Sequence, residues 1–287
     1  MFQKAPKISA NSIILSLLVL SIIILLPAVS TCADPKKAAG RIKLNRDLYL
    51  EPIQEDVLVV VHSFPWPANS LLVRVTPKDV VFVDTPYENK ATECIVEWVR
   101  KNWGKVNIIE INTGFHWDNL GGNEYLKNQK IPIYGSDMTI KLLKENAETT
   151  RRKTLQILAS QKDLRYYESH KKQKFIPPDH VFKLSEGHRL KINDEVIDVF
   201  FPGQSHTSDN VVVYFSKRRI LFGGCMIKSL QSKNPGFIED ANMEAWPKSV
   251  QTVLEKYPDA LVVIPGHGQH GDISLLYHTI ELLKTKT

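Results

Sequence analysis

Asn112 to Asn123 reads NTGFHWDNLGGN and follows Val106–Ile111, a β-branched run with the character of a buried strand. The loop at its end carries His116 and Asp118. Two residues apart in extended backbone, these side chains leave on the same side. A neutral imidazole and a carboxylate aimed at one point suit a zinc ion. Gly121-Gly122 then lets the chain turn into a short helix. His-x-Asp alone is a weak signal, but three later segments repeat the format of a strand followed by a short glycine-containing loop. PGQSHTSDN, after Phe200-Phe201, brings His206. GGCMIK, after Arg219–Phe222, brings Cys225, and PGHG, after the LVVI run, brings His267. Singly, each has a plainer reading: strand-end histidines are mostly hydrogen-bonded surface residues, and lone buried cysteines mostly pack. Four such loops in one chain favour a shared metal.

The intervening segments predict the elements that must position these loops. Val57–His62, Ser70–Thr76 and Val80–Asp84 read as successive strands. Between the first two lies SFPWPAN, an aromatic loop that either folds as a flap over a site, through Phe64 and Trp66, or plugs the core. Ala91, Cys94, Ile95, Trp98 and Val99 are spaced as one face of a helix over Glu88–Trp103, with Cys94 a buried, inert thiol. Ile131–Tyr134 reads as a strand, and Ser136 as the cap of a helix through Leu143. Glu145–Lys174 is highly charged and reads as a solvent-facing helical excursion, with His170 and His180 on the surface. Val181–Phe201 reads as two or three antiparallel strands. Val211–Phe215 and Arg219–Phe222 form a hairpin. A helix near Met243–Tyr257, a strand at Ala260–Ile264 and a helix at Ile273–Leu283 close the chain. His62, His188, His270 and His278 read as structural or surface residues. No solenoid repeat is visible. The order predicts an α/β fold, a mixed sheet system covered by helices.

The 287 residues are 43% hydrophobic and 24% charged, ordinary for one large globular core. A net charge of +6 comes without a Lys/Arg stripe interleaved with aromatics, so nucleic acid is not expected as a partner. Residues 1–33 begin with Lys4 and Lys7, continue through an apolar core and end in small residues, which reads as a secretory signal. Cleavage near Ser30 or Ala33 frees a soluble protein. Cleavage before Cys32 leaves a cysteine for lipid and membrane attachment, and an uncleaved anchor is the third outcome. All three place the body outside the cytoplasm, in the periplasm. Residues 34–55 read as a tether or edge strand and 56–287 as the domain. A Cys94–Cys225 disulfide suits an exported chain, but it competes with Cys225 as a metal ligand. A monomer is expected.

Together FHWDNLGGN, SHTSDNVVVYF, LFGGCMIKS and PGHG resemble the metallo-β-lactamases, and within them the cysteine-containing branches. The resemblance runs from Val57 to the C-terminus. It implies a four-layered αββα sandwich with metal at the sheet edge, and a small-molecule β-lactam substrate. By the family pattern Asp118, Cys225 and His267 form one zinc site. The second site of the dizinc branch has three histidines: two match His116 and His206, and the third falls at Gly114. A mono-zinc branch also lacks this histidine, so Gly114 implies one tightly bound Zn2+ and a weakened second site. Lys228 keeps the place of the lysine that pairs with the substrate carboxylate. The place of an Asn that binds the lactam carbonyl holds Phe237, and that of an Arg after the motif Asp holds Asn119.

The resemblance implies hydrolysis of the cyclic amide, in a mono-zinc form that prefers carbapenems. His116 or Asp118 acts as general base on water, His206 orients the intermediate, Lys228 holds the carboxylate, and Phe64 and Trp66 cover the substrate. Two other readings stand beside this one: a related zinc hydrolase of another amide, lactone or ester, and an exported zinc-binding protein without turnover.

Overall fold

A computed structural model describes residues 36–284 apart from 39, 64, 162 and 163. The signal reading of residues 1–33, lipid attachment at Cys32 and substrate contact by Phe64 lie outside the described residues.

Two sheets carry the architecture. The first orders β1 (Lys36–Ala38), β2 (Arg41–Lys43), β3 (Leu48–Gln54), β4 (Val57–His62), β5 (Ala68–Thr76), β6 (Asp79–Val83), β7 (Asn107–Ile111), β8 (Ile133–Ser136) and β9 (His180–Phe182). Pairing is antiparallel as far as β6 and parallel from β6 to β9. The second sheet orders β10 (His188–Ile192), β11 (Glu195–Phe200), β12 (Val212–Phe215), β13 (Ile220–Gly224) and β14 (Val262–Pro265), with only β13–β14 parallel. The helices are α1 (Asn89–Trp103), the short α2 (Trp117–Leu120) and α3 (Asn123–Asn128), α4 (Asp137–Ala159), α5 (Arg165–Lys172), α6 (Trp246–Lys256) and α7 (Ser274–Lys284).

Side-chain alternation divides the core into layers. Along β4, Val57, Val59 and Val61 enter a cluster with Ile197, Val213, Phe215 and Phe222 of the second sheet. Leu58 and Val60 point the other way, to Ile95 and Val99 of α1. Likewise Ile220 and Phe222 of β13 face the first sheet, while Leu221 joins Val250, Val253, Leu276 and Ile280 of α6 and α7. Helix, sheet, sheet and helix thus stack as the expected αββα sandwich. Each fully buried Val, Leu or Phe is worth roughly 1.5–3 kcal/mol. A one-residue slip of β4 would exchange its two sets of partners, so the register is strongly specified.

Three expectations are corrected. The helix capped by Ser136, whose Oγ accepts from the Thr139 N–H at 3.0 Å, does not stop at Leu143 but runs to Ala159. Asp137–Ala159 contains neither Gly nor Pro, so nothing ends it earlier. Glu145–Lys174 is not simply solvent-facing. Leu158, Tyr166 and Phe175 pack with Tyr87 and Trp117, and His170 is 1% exposed, its ring 4.4 Å from that of Trp117. Cys94 is buried on α1 as expected, but it is disulfide-bonded rather than an inert thiol. Cys225 is free, so the Cys94–Cys225 bridge does not form. In addition, β9 leaves the antiparallel run and pairs in parallel with β8 in the first sheet.

Candidate metal centre and cleft

All four motif loops lie where strands end. The β7 loop delivers His116 in extended backbone (φ −68°, ψ 152°), and α2 begins at the next residue. Asp118 therefore sits in the first turn of a helix, not in a strand. The two side chains do not converge on one point as extended backbone would place them; they serve different halves of the site.

In the first half, Asp118 Oδ2 lies 3.1 Å from His267 Nε2 and 3.6 Å from Cys225 Sγ, and Cys225 Sγ lies 3.6 Å from His267 Nε2. Tetrahedral zinc with ordinary bond lengths spaces an S and an N ligand by about 3.5 Å and an N and an O ligand by about 3.3 Å. The triangle fits one face of such a shell. The His267 Nδ1–H donates to the Pro67 carbonyl at 2.7 Å, leaving the Nε2 lone pair facing the other two ligands. Burial pushes the Cys225 thiol well above its usual range, and the Asp118 carboxylate pushes the same way, against Lys228. A thiolate here requires a cation. Burial also pushes the Asp118 carboxyl up. When Nε2 of His267 carries a proton in place of an ion, its hydrogen bond and the charges of His267 and His116 outweigh this and leave the carboxyl below its ordinary value. Among the described residues, this is the one group of three His, Cys, Asp or Glu side chains gathered closely enough to hold an ion.

In the second half, the His116 and His206 rings stand edge to face, 5.1 Å apart. His116 Nε2–H donates to Asp240 Oδ2 at 2.9 Å, which leaves its Nδ1 lone pair free. His206 is buried with its Nδ1 unpartnered, and burial, followed by the charge of Lys228, holds its pKa well below the ordinary value. Gly114 offers no third donor. A Cβ built there would meet the Asn210 amide nitrogen at 2.7 Å and the Asn119 amide oxygen at 3.3 Å. The volume of a third ligand is thus taken by asparagine.

Asp84 buttresses the motif loop. It closes β6 with φ +57°, an uncommon backbone for a non-glycine residue. Its carboxyl group accepts from the Thr113 N–H at 2.7 Å, the Thr113 hydroxyl at 2.6 Å and the Asn119 amide at 2.8 Å. Burial raises its pKa to about 8 against these bonds. Neither Asp84 nor Asp240 emerged from the sequence. The available signal was modest: a carboxylate at the end of the VVFV strand, and an acid in the loop that carries Phe237.

Above the ligands lies a cleft of about 670 Å³. Lys228, 7% exposed, lines it with its ammonium 5.0 Å over the Trp246 ring centre. Trp66 forms one wall, edge-on to Trp117 at 5.5 Å. Phe237 stands over both free histidines, its ring 5.7 Å from His116 and 6.4 Å from His206. The third wall is α4, through Asn146, Thr149, Thr150, Lys153 and Ile157. The segment after Trp66 is pinned to the His267 loop. Asn69 N–H donates to the Gly266 carbonyl at 2.8 Å, and the Asn69 side-chain amide donates to the Pro265 and Gly268 carbonyls at 2.8 and 2.7 Å.

With sheets, ligand triangle and cleft in view, comparison with known proteins is decisive for the class. The metallo-beta-lactamase superfamily pattern matches residues 63–267, and the chain belongs to that family. It is 33% identical to a metallo-beta-lactamase type 2 of Bacillus cereus over 218 residues, covering 76% of this chain and 73% of the relative. A metallo-beta-lactamase type 2 of Pseudomonas aeruginosa is 33% identical over 240 residues, 82% and 84% of the two chains. The solved metallo-beta-lactamase from Pontibacter korlensis superposes with a TM-score of 0.70 at 32% identity, over 83% of this chain and 100% of that one. Family membership implies zinc, which the donor set at Asp118, Cys225 and His267 fits.

Proposed function

We propose that this protein hydrolyses the amide bond of β-lactam rings with a single tightly held zinc ion at Asp118, Cys225 and His267, and that it prefers carbapenems. The observation that carries the reading is the 3.1–3.6 Å triangle of thiol, carboxylate and imidazole, open on its cleft side. The names of the relatives support the substrate class. When bound, zinc supplies Lewis-acid stabilisation of negative charge developing on the substrate.

The chain's own residues do the rest. Lys228 receives the ring carboxylate; its burial leaves the ammonium poorly solvated and ready for an anionic partner. His116 acts as the general base: its Nδ1 accepts a proton from the attacking water, while Asp240 on Nε2 fixes the tautomer and stabilises the imidazolium. The same Nδ1 returns the proton to the amide nitrogen as the C–N bond breaks. Asp118 is then free to serve as ligand only. His206 orients the carbonyl, and Trp66 and Phe237 exclude water from the cleft. We extend the reading to an exported protein, on the secretory character of residues 1–33.

Metal content and turnover measured on the same sample test this. One zinc per chain is expected, with hydrolysis of a carbapenem exceeding that of a penicillin or a cephalosporin. Two tightly bound zinc ions would overturn the mono-zinc reading. Absence of hydrolysis across all three classes would overturn the lactamase reading. In that case the apolar Phe237 over the histidines, which donates no hydrogen bond to a lactam carbonyl, favours a related hydrolase of another amide, lactone or ester.

A further inference from the structure

The α4 wall carries a cation that the chemistry above does not use. Lys153 lines the same cleft as Lys228 and is ion-paired with Glu239 on the loop that also holds Phe237 and Asp240. The two lysines differ in their surroundings. Lys228 is buried and faces the charges of Cys225 and Asp118. Lys153 is 44% exposed and faces Glu239 and Asp240, at the His116 end of the site. The two acids that line the cleft are engaged, Asp118 with Cys225 and His267 and Asp240 with His116, and Glu239 stands beside that lining. Glu239 serves no such partner. It is 58% exposed on a loop that turns through Gly236 at φ +80°. Exposed ion pairs of this kind are held weakly and exchange readily.

We infer that Lys153 is a second anion-recognising residue of the cleft, with Glu239 as a displaceable internal carboxylate, so that the site takes β-lactams bearing a second negative charge on the acyl side chain. This rests on the proposed lactamase activity. A substrate anchored through its ring carboxylate at Lys228, with its carbonyl over the ligand triangle, extends its side chain away from Lys228 toward the His116 end. A carboxylate there meets Lys153 and replaces Glu239, which swings into solvent. Thr149 and Thr150, one helical turn before Lys153, offer hydroxyls on the same wall. The net charge of the pair is zero while Glu239 is in place, so singly charged substrates are not disfavoured.

The test uses the full zinc-loaded chain with benzylpenicillin and carbenicillin, which differ by one side-chain carboxylate. Glu239→Gln leaves Lys153 without its internal partner and is expected to raise the carbenicillin-to-benzylpenicillin ratio of kcat/KM about threefold, through KM. Lys153→Gln is expected to lower that ratio by about the same factor. A second readout needs no turnover: Kd for the two ring-opened penicilloates, followed by tryptophan fluorescence, should shift in the same directions. Equal effects of each substitution on both compounds would overturn the role of Lys153. Absence of hydrolysis of penicillin, cephalosporin and carbapenem alike by the unaltered chain would strike the lactamase reading instead. Penicilloate charge discrimination that is present in the unaltered chain and lost in Lys153→Gln, with Lys228 and Lys233 still lining the cleft, would keep Lys153 as an anion site.

Discussion

Asp118, Cys225 and His267 approach one another to 3.1–3.6 Å and leave their donor atoms facing a common point. In the same cleft, His116 and His206 come from the same kind of loop, yet among the described residues no third His, Cys, Asp or Glu joins them closely enough to hold an ion. One nitrogen of His116 is held by Asp240, and the place beside Gly114 is filled by the Asn210 amide. On the proposed mono-zinc reading, loop type and residue type are therefore not sufficient to make a metal site. What distinguishes the halves is the third donor: Cys225 completes the first, while the Asn210 amide fills the place beside Gly114 in the second.

The comparison can be broken most forcefully at Cys225. Cys225→Ser removes the thiolate from the first half and is expected to abolish zinc retention after dialysis. Hydrolysis should fall by more than the roughly 10–100-fold that loss of an outer partner costs; retained zinc with normal turnover would mean the first half is not the metal centre. Asp240→Asn probes the other half. Turnover should fall by about tenfold as His116 loses its anionic partner, with zinc content unchanged. A parallel loss of zinc would show that the halves are one coupled site.

Acid should loosen the packing behind His116 next. Burial depresses the pKa of His62 to about 4, with Asp47 opposing and Arg165 adding, and burial and then Arg151 depress that of His170 to about 4. Both fold as neutral rings, while the unfolded chain takes up their protons near pH 6.5. Stability is therefore full above about pH 6.5 and declines as pH falls to about 4, by on the order of 3 kcal/mol for each histidine. Thermal midpoints of the metal-free protein across this range should fall. A His170→Phe variant, which keeps a ring against Trp117, should show a shallower decline. The smallest expected effect is that of Gly114→His. Alone it meets Asn210 and should leave zinc near one per chain; combined with Asn210→Ala it should raise the stoichiometry toward two. A full second zinc in the single variant would show that the missing ligand, rather than the filled space, distinguishes the halves.

Much of this fold was legible because it rests on local alternation. The strands β4 to β7 and β11 to β14 and the helices α1, α6 and α7 fall within a few residues of their expected ranges. The strand-to-loop format likewise pointed to Asp118, Cys225 and His267, which the fold brings together. What failed depended on distant neighbours. The charged stretch after Leu143 looked solvated, but its periodic Thr150, Lys153 and Ile157 face the cleft, and His170 gains its burial from Trp117 across the fold. The divergence of His116 from Asp118 followed from α2 beginning between them. Asp240 and Asn210 act across separations of 124 and 97 residues, on His116 and on the Thr113 carbonyl, and no spacing rule reaches that far.

One contact reaches beyond the resting site. The Pro67 carbonyl that fixes the His267 ring belongs to the same segment as Trp66, and Asn69 ties that segment to Pro265, Gly266 and Gly268. The covering loop is thus anchored at both ends, by Ser63 on the Asp47 carbonyl and by the Pro67–Asn69 segment, and the second anchor is shared with one of the proposed metal ligands. Residues before Pro67 can be lengthened or exchanged to retune which molecules enter. A change at Pro67 or Asn69 instead turns the imidazole itself, so diversification of the entrance stops where custody of the ion begins.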